Sequence, residues 1–106
     1  MSLQHSVNRY PKAWTTNVTS GEGFGSTNLI TFANTCVSII ISNQGSTYSV
    51  NVQLNGDPGA TFNIPPDQTF SFGAGEFYLS SIDFALVQSG TSGASTTVVV
   101  VASLER

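Results

Sequence analysis

One histidine, one cysteine and six carboxylates are the residues through which this chain could do chemistry. A Ser-His-Asp or Cys-His arrangement needs an imidazole held rigidly beside its nucleophile. His5 stands instead in a leading segment with no periodicity, which predicts a surface residue. Structural zinc takes four Cys or His ligands, and the chain offers only His5 and Cys36. Cys36 opens an apolar strand pattern, so it is expected as a small buried hydrophobe. Being alone, it can form no internal disulfide, and an intermolecular one is the alternative.

The carboxylates are Glu22, Asp57, Asp67, Glu76, Asp83 and Glu105. Glycoside hydrolysis would need two of them facing each other across a cleft, and no spacing brings a pair to one strand face. Asp57 and Asp67 flank one short strand in turns, where Asp bonds its own backbone. A weak loop-held cation is the alternative there. Gly21-x-Gly23-x-Gly25 has the glycine spacing of a phosphate loop but neither the following helix nor a nearby lysine, so it is read as a hinge. Asn17-Val18-Thr19 matches the glycosylation sequon, a cheap match in a chain this rich in Asn and Thr. No catalytic, metal or cofactor residue is assigned, and an enzyme is not expected.

The elements that would position these groups are strands. Val37 to Ser42 is an apolar run ending at Asn43-Gln44-Gly45-Ser46, a cluster of turn formers. Tyr48, Val50, Val52 and Leu54 alternate with polar residues, the period of a half-buried strand. Thr61–Ile64 and Thr69–Phe72 follow, separated by Pro65-Pro66-Asp67. Ile82, Phe84 and Leu86 alternate again, with Asp83 on the opposite face. A loop by composition covers Ser89 to Ser95. Thr96 to Ala102 is the strongest β-former, and its unbroken valines predict a central strand, or one covered on both faces. Leu29–Phe32 and Thr15–Thr19 are further candidates. No stretch carries the period of an amphipathic helix. The pattern predicts an all-β chain of six or seven short strands, a β-sandwich of jelly-roll or immunoglobulin-like topology, with an extended N-terminal arm.

The expected organisation is an arm over residues 1–27 and a sandwich domain over residues 28–106. Pro11, the glycines near Gly23 and the lack of period set the first part apart. Its large residues, Tyr10, Trp14 and Phe24, are the candidate interface anchors, because aromatics bury large areas at low entropy cost.

Composition narrows the function classes. The 106 residues suit one domain. Only 8% are charged, against about 25% in an average soluble domain, and Ser, Thr and Asn fill the gap with about a third of the chain. Three basic residues and a net charge of −3 argue against nucleic-acid binding. The longest apolar run, Val98 to Ala102, is too short to span a bilayer, so no membrane partner is expected. No secretory signal is visible at the start.

The segment from Cys36 to Ala102 resembles small virion proteins of tailed bacteriophages. The shared grammar is a Val/Ile strand into Ser-Asn-Gln-Gly and an alternating strand into Asn-Gly. Thr-Phe-Asn-Ile-Pro-Pro-Asp-Gln-Thr-Phe, Leu79-Ser80-Ser81-Ile82-Asp83 and a final Thr/Val strand follow. Decoration (cement) proteins and tail or head-fibre modules of that kind are β-sandwiches that oligomerise on a particle. The chain is also similar to jelly-roll subunits of bacterial spore appendages, though those use several cysteines and this chain has one. The resemblance implies a homo-oligomeric structural subunit, partnered by other virion or appendage proteins and located in the virion. A carbohydrate- or receptor-binding module is the rival expectation, with Trp14, Tyr48 and Tyr78 as stacking platforms.

Overall fold

The computed structural model describes residues 9–20, 23–25, 28–73, 78–86 and 93–105. Eight strands run through them: β1 (Arg9–Thr19), β2 (Ile30–Thr31), β3 (Cys36–Asn43), β4 (Val50–Leu54), β5 (Thr61–Ile64), β6 (Thr69–Phe72), β7 (Ser81–Leu86) and β8 (Ser95–Glu105). They form two four-stranded antiparallel sheets, ordered β1-β8-β3-β6 and β2-β7-β4-β5.

The pairing is nested. β1 pairs β8, β2 pairs β7, β3 pairs β6 and β4 pairs β5. The chain is in effect one long hairpin rolled up, and the β3–β8 and β4–β7 ladders close the roll. This is the jelly-roll order. The immunoglobulin alternative, with its four- and three-stranded sheets, is excluded.

Two-residue alternation sends one side chain in and the next out. β8 buries Thr96, Val98, Val100, Ala102 and Leu104, and β4 buries Val50, Val52 and Leu54. These meet Ile39 and Ile41 of β3, Ile64 of β5 and Ile82, Phe84 and Leu86 of β7 in one core. Cys36 and Ile39 both face inward although they lie three apart. A bulge between Cys36 and Ser38 absorbs the extra residue.

Aromatics close the two open sides of the sandwich. Where β1 faces β2, Trp14 meets Phe32 edge-on with ring centroids 5.3 Å apart. Where β6 faces β5, Phe70 stacks on Phe62 at 5.1 Å and Phe72 meets Phe62 edge-on at 5.8 Å. Pairs of this geometry add about 0.5–1.5 kcal/mol beyond the area they bury.

The sheet boundary falls earlier than expected. Residues 9–19 belong to the sandwich, where all eleven pair with β8, so the arm expected over residues 1–27 does not include them. Pro11, which suggested an arm, is tolerated because β1 is an edge strand and a missing N–H costs nothing on the open side. Of the expected arm, residues 1–8, 21–22 and 26–27 lie outside the described residues. β8 is interior to its sheet as expected, but among the described residues only its inward face is covered. Val99 is half-buried and Val101 exposed.

One polar side chain is built into the core beside the valines. Asn43 ends β3 facing inward, 1% exposed. Its amide donates to the carbonyls of Tyr48 (2.9 Å) and Ile64 (3.1 Å). Its oxygen accepts from Thr96 Oγ1 (2.5 Å) and the Gly45 N–H (3.1 Å). A Cβ on residue 45 would stand 2.0 Å from Thr96 Oγ1, so only glycine fits. Asn43→Ala should strand a buried hydroxyl and two carbonyls and destabilise the fold by about 3 kcal/mol. Urea unfolding of the two proteins checks this.

Candidate functional site

The described carboxylates do not converge. Asp57 caps the short 3₁₀ turn Pro58–Ala60, its Oδ1 accepting from the Gly59 N–H at 2.9 Å. Asp67 is exposed in the turn between β5 and β6, with a left-handed φ of 61°. β5 separates the two, which leaves no shared cation site. Glu105 is exposed at the end of β8. Glu22, Glu76 and His5 lie outside the described residues. Among the described residues no group of three His, Cys, Asp or Glu side chains gathers where a metal could sit.

Asp83 is the exception in burial. It points away from the sandwich core, as its place in the β7 alternation predicts, yet it is 2% exposed. Gly25 lies against it. Asp83 Oδ2 accepts from the Gly25 N–H, and Oδ1 from the N–H of Phe84 at 2.8 Å. Gly25 takes a φ of +88°, a conformation that L side chains rarely adopt. Gly21-x-Gly23-x-Gly25 was expected as a hinge. In the described part, Gly25 offers a backbone donor to an anion, and the anion is the chain's own carboxylate. Beside it, Thr16 Oγ1 donates to the buried Asn28 Oδ1 at 2.9 Å. The arrangement fastens the segment after β1 to the outer side of β7.

The expected interface aromatics are placed mainly within the fold. Tyr10 is half-buried, and its hydroxyl donates to Asn34 Oδ1 at 2.6 Å. Trp14 is half-buried on Phe32, with the Lys12 ammonium 5.9 Å from its ring centroid. Phe24 is half-buried in the turn at Gly25. Tyr10 and Trp14 thus spend their rings on closing the β1–β2 side, which periodicity alone did not reveal. Of the expected stacking platforms, Tyr48 packs against the core. Tyr78 is 65% exposed.

The described surface has small hollows. One, of about 10 Å³ beside Cys36, Ile39, Phe72 and Leu79, holds no more than a water. Another is an open groove of about 310 Å³ lined by Leu54, Asn55, Asp57 and Ala60. Asn55 takes a φ of 56° and holds the segment leading into β7 with its side-chain amide. Its amide donates to the Tyr78 carbonyl (2.7 Å), and its oxygen accepts from the Ser80 N–H (2.7 Å). Asn17, in the sequon, faces outward on β1 and is exposed.

The surface that sequence reasoning did not single out is the outer side of the β1-β8-β3-β6 sheet. Register aligns Ala13, Val101, Ile40 and Ser71 in one row across all four strands. Ile40 is 48% and Val101 41% exposed. The signal was present in the alternation, since Val99 and Val101 must face away from Val98 and Val100.

No family model matches the sequence, and no curated protein matches it.

Cys36 is buried, with Sγ 3.4 Å from the Ser38 carbonyl, and burial pushes its thiol pKa up. Folding therefore favours the protonated thiol. That contribution is complete below the thiol's ordinary pKa and is lost as pH rises above it. Cys36 should react with a disulfide reagent at pH 8 more than about tenfold slower in the native protein than in urea. Stopped-flow thiol titration checks the ratio.

Proposed function

We propose that the protein is a non-enzymatic structural subunit that self-assembles, of the kind that decorates a bacteriophage capsid or associates with its tail. Jelly-roll sandwiches serve as viral capsid and lectin domains, and fold alone does not assign function. The observation that carries the reading is the poverty of charge: 8% of residues, on a fold whose β1-β8-β3-β6 sheet has no charged side chain on its outer surface between the strand ends. Interface cores are depleted in charge in the same way. A domain of this size also buries a smaller share of its surface than a larger one, and association adds to its stability.

The carbohydrate-binding reading keeps one observation in its favour. Tyr78 is exposed, and its backbone is tied to Asn55 at the rim of the groove. An aromatic face beside a shallow groove is what a sugar ring would stack on. Glycan-array binding that disappears in Tyr78→Ala would support that reading.

Light scattering on the purified chain, from micromolar to millimolar, tests assembly directly. A homo-oligomer whose mass grows or holds with concentration is expected. A protein that remains a monomer throughout overturns the proposal.

A further inference from the structure

The two sheets treat their outer surfaces differently. On the β2-β7-β4-β5 sheet, two of the three outward residues of β7, Asp83 and Ala85, are buried, and Ser81 is half-buried. Gly25 lies against Asp83. Its remaining outward positions include the amides Asn51, Gln53 and Asn63, two of which bond each other, Asn63 Nδ2 to Asn51 Oδ1 at 3.3 Å. That surface is partly covered by its own chain.

Among the described residues, the outer surface of the β1-β8-β3-β6 sheet is bare. Its outward positions between the strand ends are Pro11, Ala13, Thr15 and Asn17 of β1, with Thr97, Val99, Val101 and Ser103 of β8. Ser38, Ile40 and Ser42 of β3 and Thr69 and Ser71 of β6 complete it. None of them is charged, whereas an ordinary surface carries about 25–35% charged residues. The charged pair Arg9 and Glu105 stands at one end, opposite each other in register. The centre is the apolar row Ala13–Val101–Ile40.

We propose that this surface is a homotypic interface, on which a second copy of the chain packs sheet to sheet about a two-fold axis. The inference rests on the self-assembly reading and names the surface it uses. Three observations select a second copy as the occupant. The first is chemical. Apart from the amide of Asn17, the polar groups of the surface are hydroxyls, and a hydroxyl both donates and accepts. An identical surface can therefore satisfy it, as a two-fold contact requires. The second is electrostatic. Each copy carries a net charge of −3, and this uncharged area lets two copies meet without bringing like charges together. The third is size. The four strands hold 11, 11, 8 and 4 residues. At about 3.4 Å per residue and about 4.8 Å between strands they project about 550 Å². Side-chain relief raises the accessible area above the projection, to the lower part of the range of specific interfaces, about 600–1,000 Å² per partner.

The contact explains the uncovered valines. Val99 and Val101 lie in the central strand of the sheet, where a partner sheet about 10 Å away would bury them as the inner valines are buried.

The test is the concentration dependence of mass, by light scattering, for the wild type and three variants. Val101→Lys places an unpaired ammonium at the centre of the contact, and Ser71→Lys does so at the end of the same row without removing an apolar group. Thr61→Lys, exposed on β5 of the other sheet, is the control. Circular dichroism and thermal melting establish that each is folded. Val101→Lys and Ser71→Lys should each weaken association by at least about 100-fold, with Thr61→Lys unchanged. If Val101→Lys does not fold, Ser71→Lys decides. Folded variants that associate like a self-assembling wild type overturn this interface and leave assembly standing. A wild type that is monomeric throughout removes both.

Discussion

A single buried amide fixes how the two sheets sit on each other. Hydrophobic contact between flat apolar surfaces is non-directional and would tolerate small slides of one sheet over the other. Asn43 does not. Its donors reach the carbonyls of Tyr48 and Ile64, which flank the sheet containing β4 and β5. Its acceptor holds Thr96 of β8 and the turn at Gly45. Every polar valence is used, so any displacement strands a buried group in a low-dielectric interior. The crossover from β3 to β4 is pinned at the same point, because the Gly45 carbonyl accepts from the Asp67 N–H at 2.9 Å. Two turns and two sheets share one node.

Much of this fold was legible in the sequence. The alternation of Val50, Val52 and Leu54 and of Ile82, Phe84 and Leu86 marks inward faces that the structure retains. Pro65-Pro66-Asp67 stops β5 as read. The less legible parts have physical causes. β1 is hidden because Lys12 and Thr16 interrupt the inward series Tyr10, Trp14 and Val18 and Pro11 stands in its midst, all of which an edge strand tolerates. β2 is reduced to Ile30–Thr31 because Asn34 and its neighbours already turn towards β3. Asn43 reads locally as a turn former; its role comes from Thr96, 53 residues away, which no local pattern reports.

The candidate surface is legible only in part for a related reason. Exposure of Val101 follows from period two, but the row it shares with Ala13 and Ile40 depends on register between strands far apart in sequence. Two of the aromatics expected at an interface, Tyr10 and Trp14, also pack against the core of their own sandwich. Trp14 and Phe62 each seal an open side of the sandwich. On the proposed reading, while Trp14 and Phe62 serve its own closure, the chain offers small β-branched and hydroxyl side chains to its neighbours. Such side chains lose little conformational entropy on contact, which suits a permanent assembly.

The rolled-hairpin topology has a consequence for biosynthesis. The first strand finds its partner only in the eighth, so no ribosome-bound chain lacking residues 95–105 can complete the β1-β8-β3-β6 sheet. β3 waits as well, since its main partner is also β8. Until then the nascent polypeptide holds Ile39, Ile40 and Ile41 with an unfilled hydrogen-bonding edge. Closure spans nearly the whole sequence, and loop entropy must be met before those contacts form. Closure of that sheet therefore waits for residues 95–105, and chaperone demand is concentrated on the interval before the valine strand emerges.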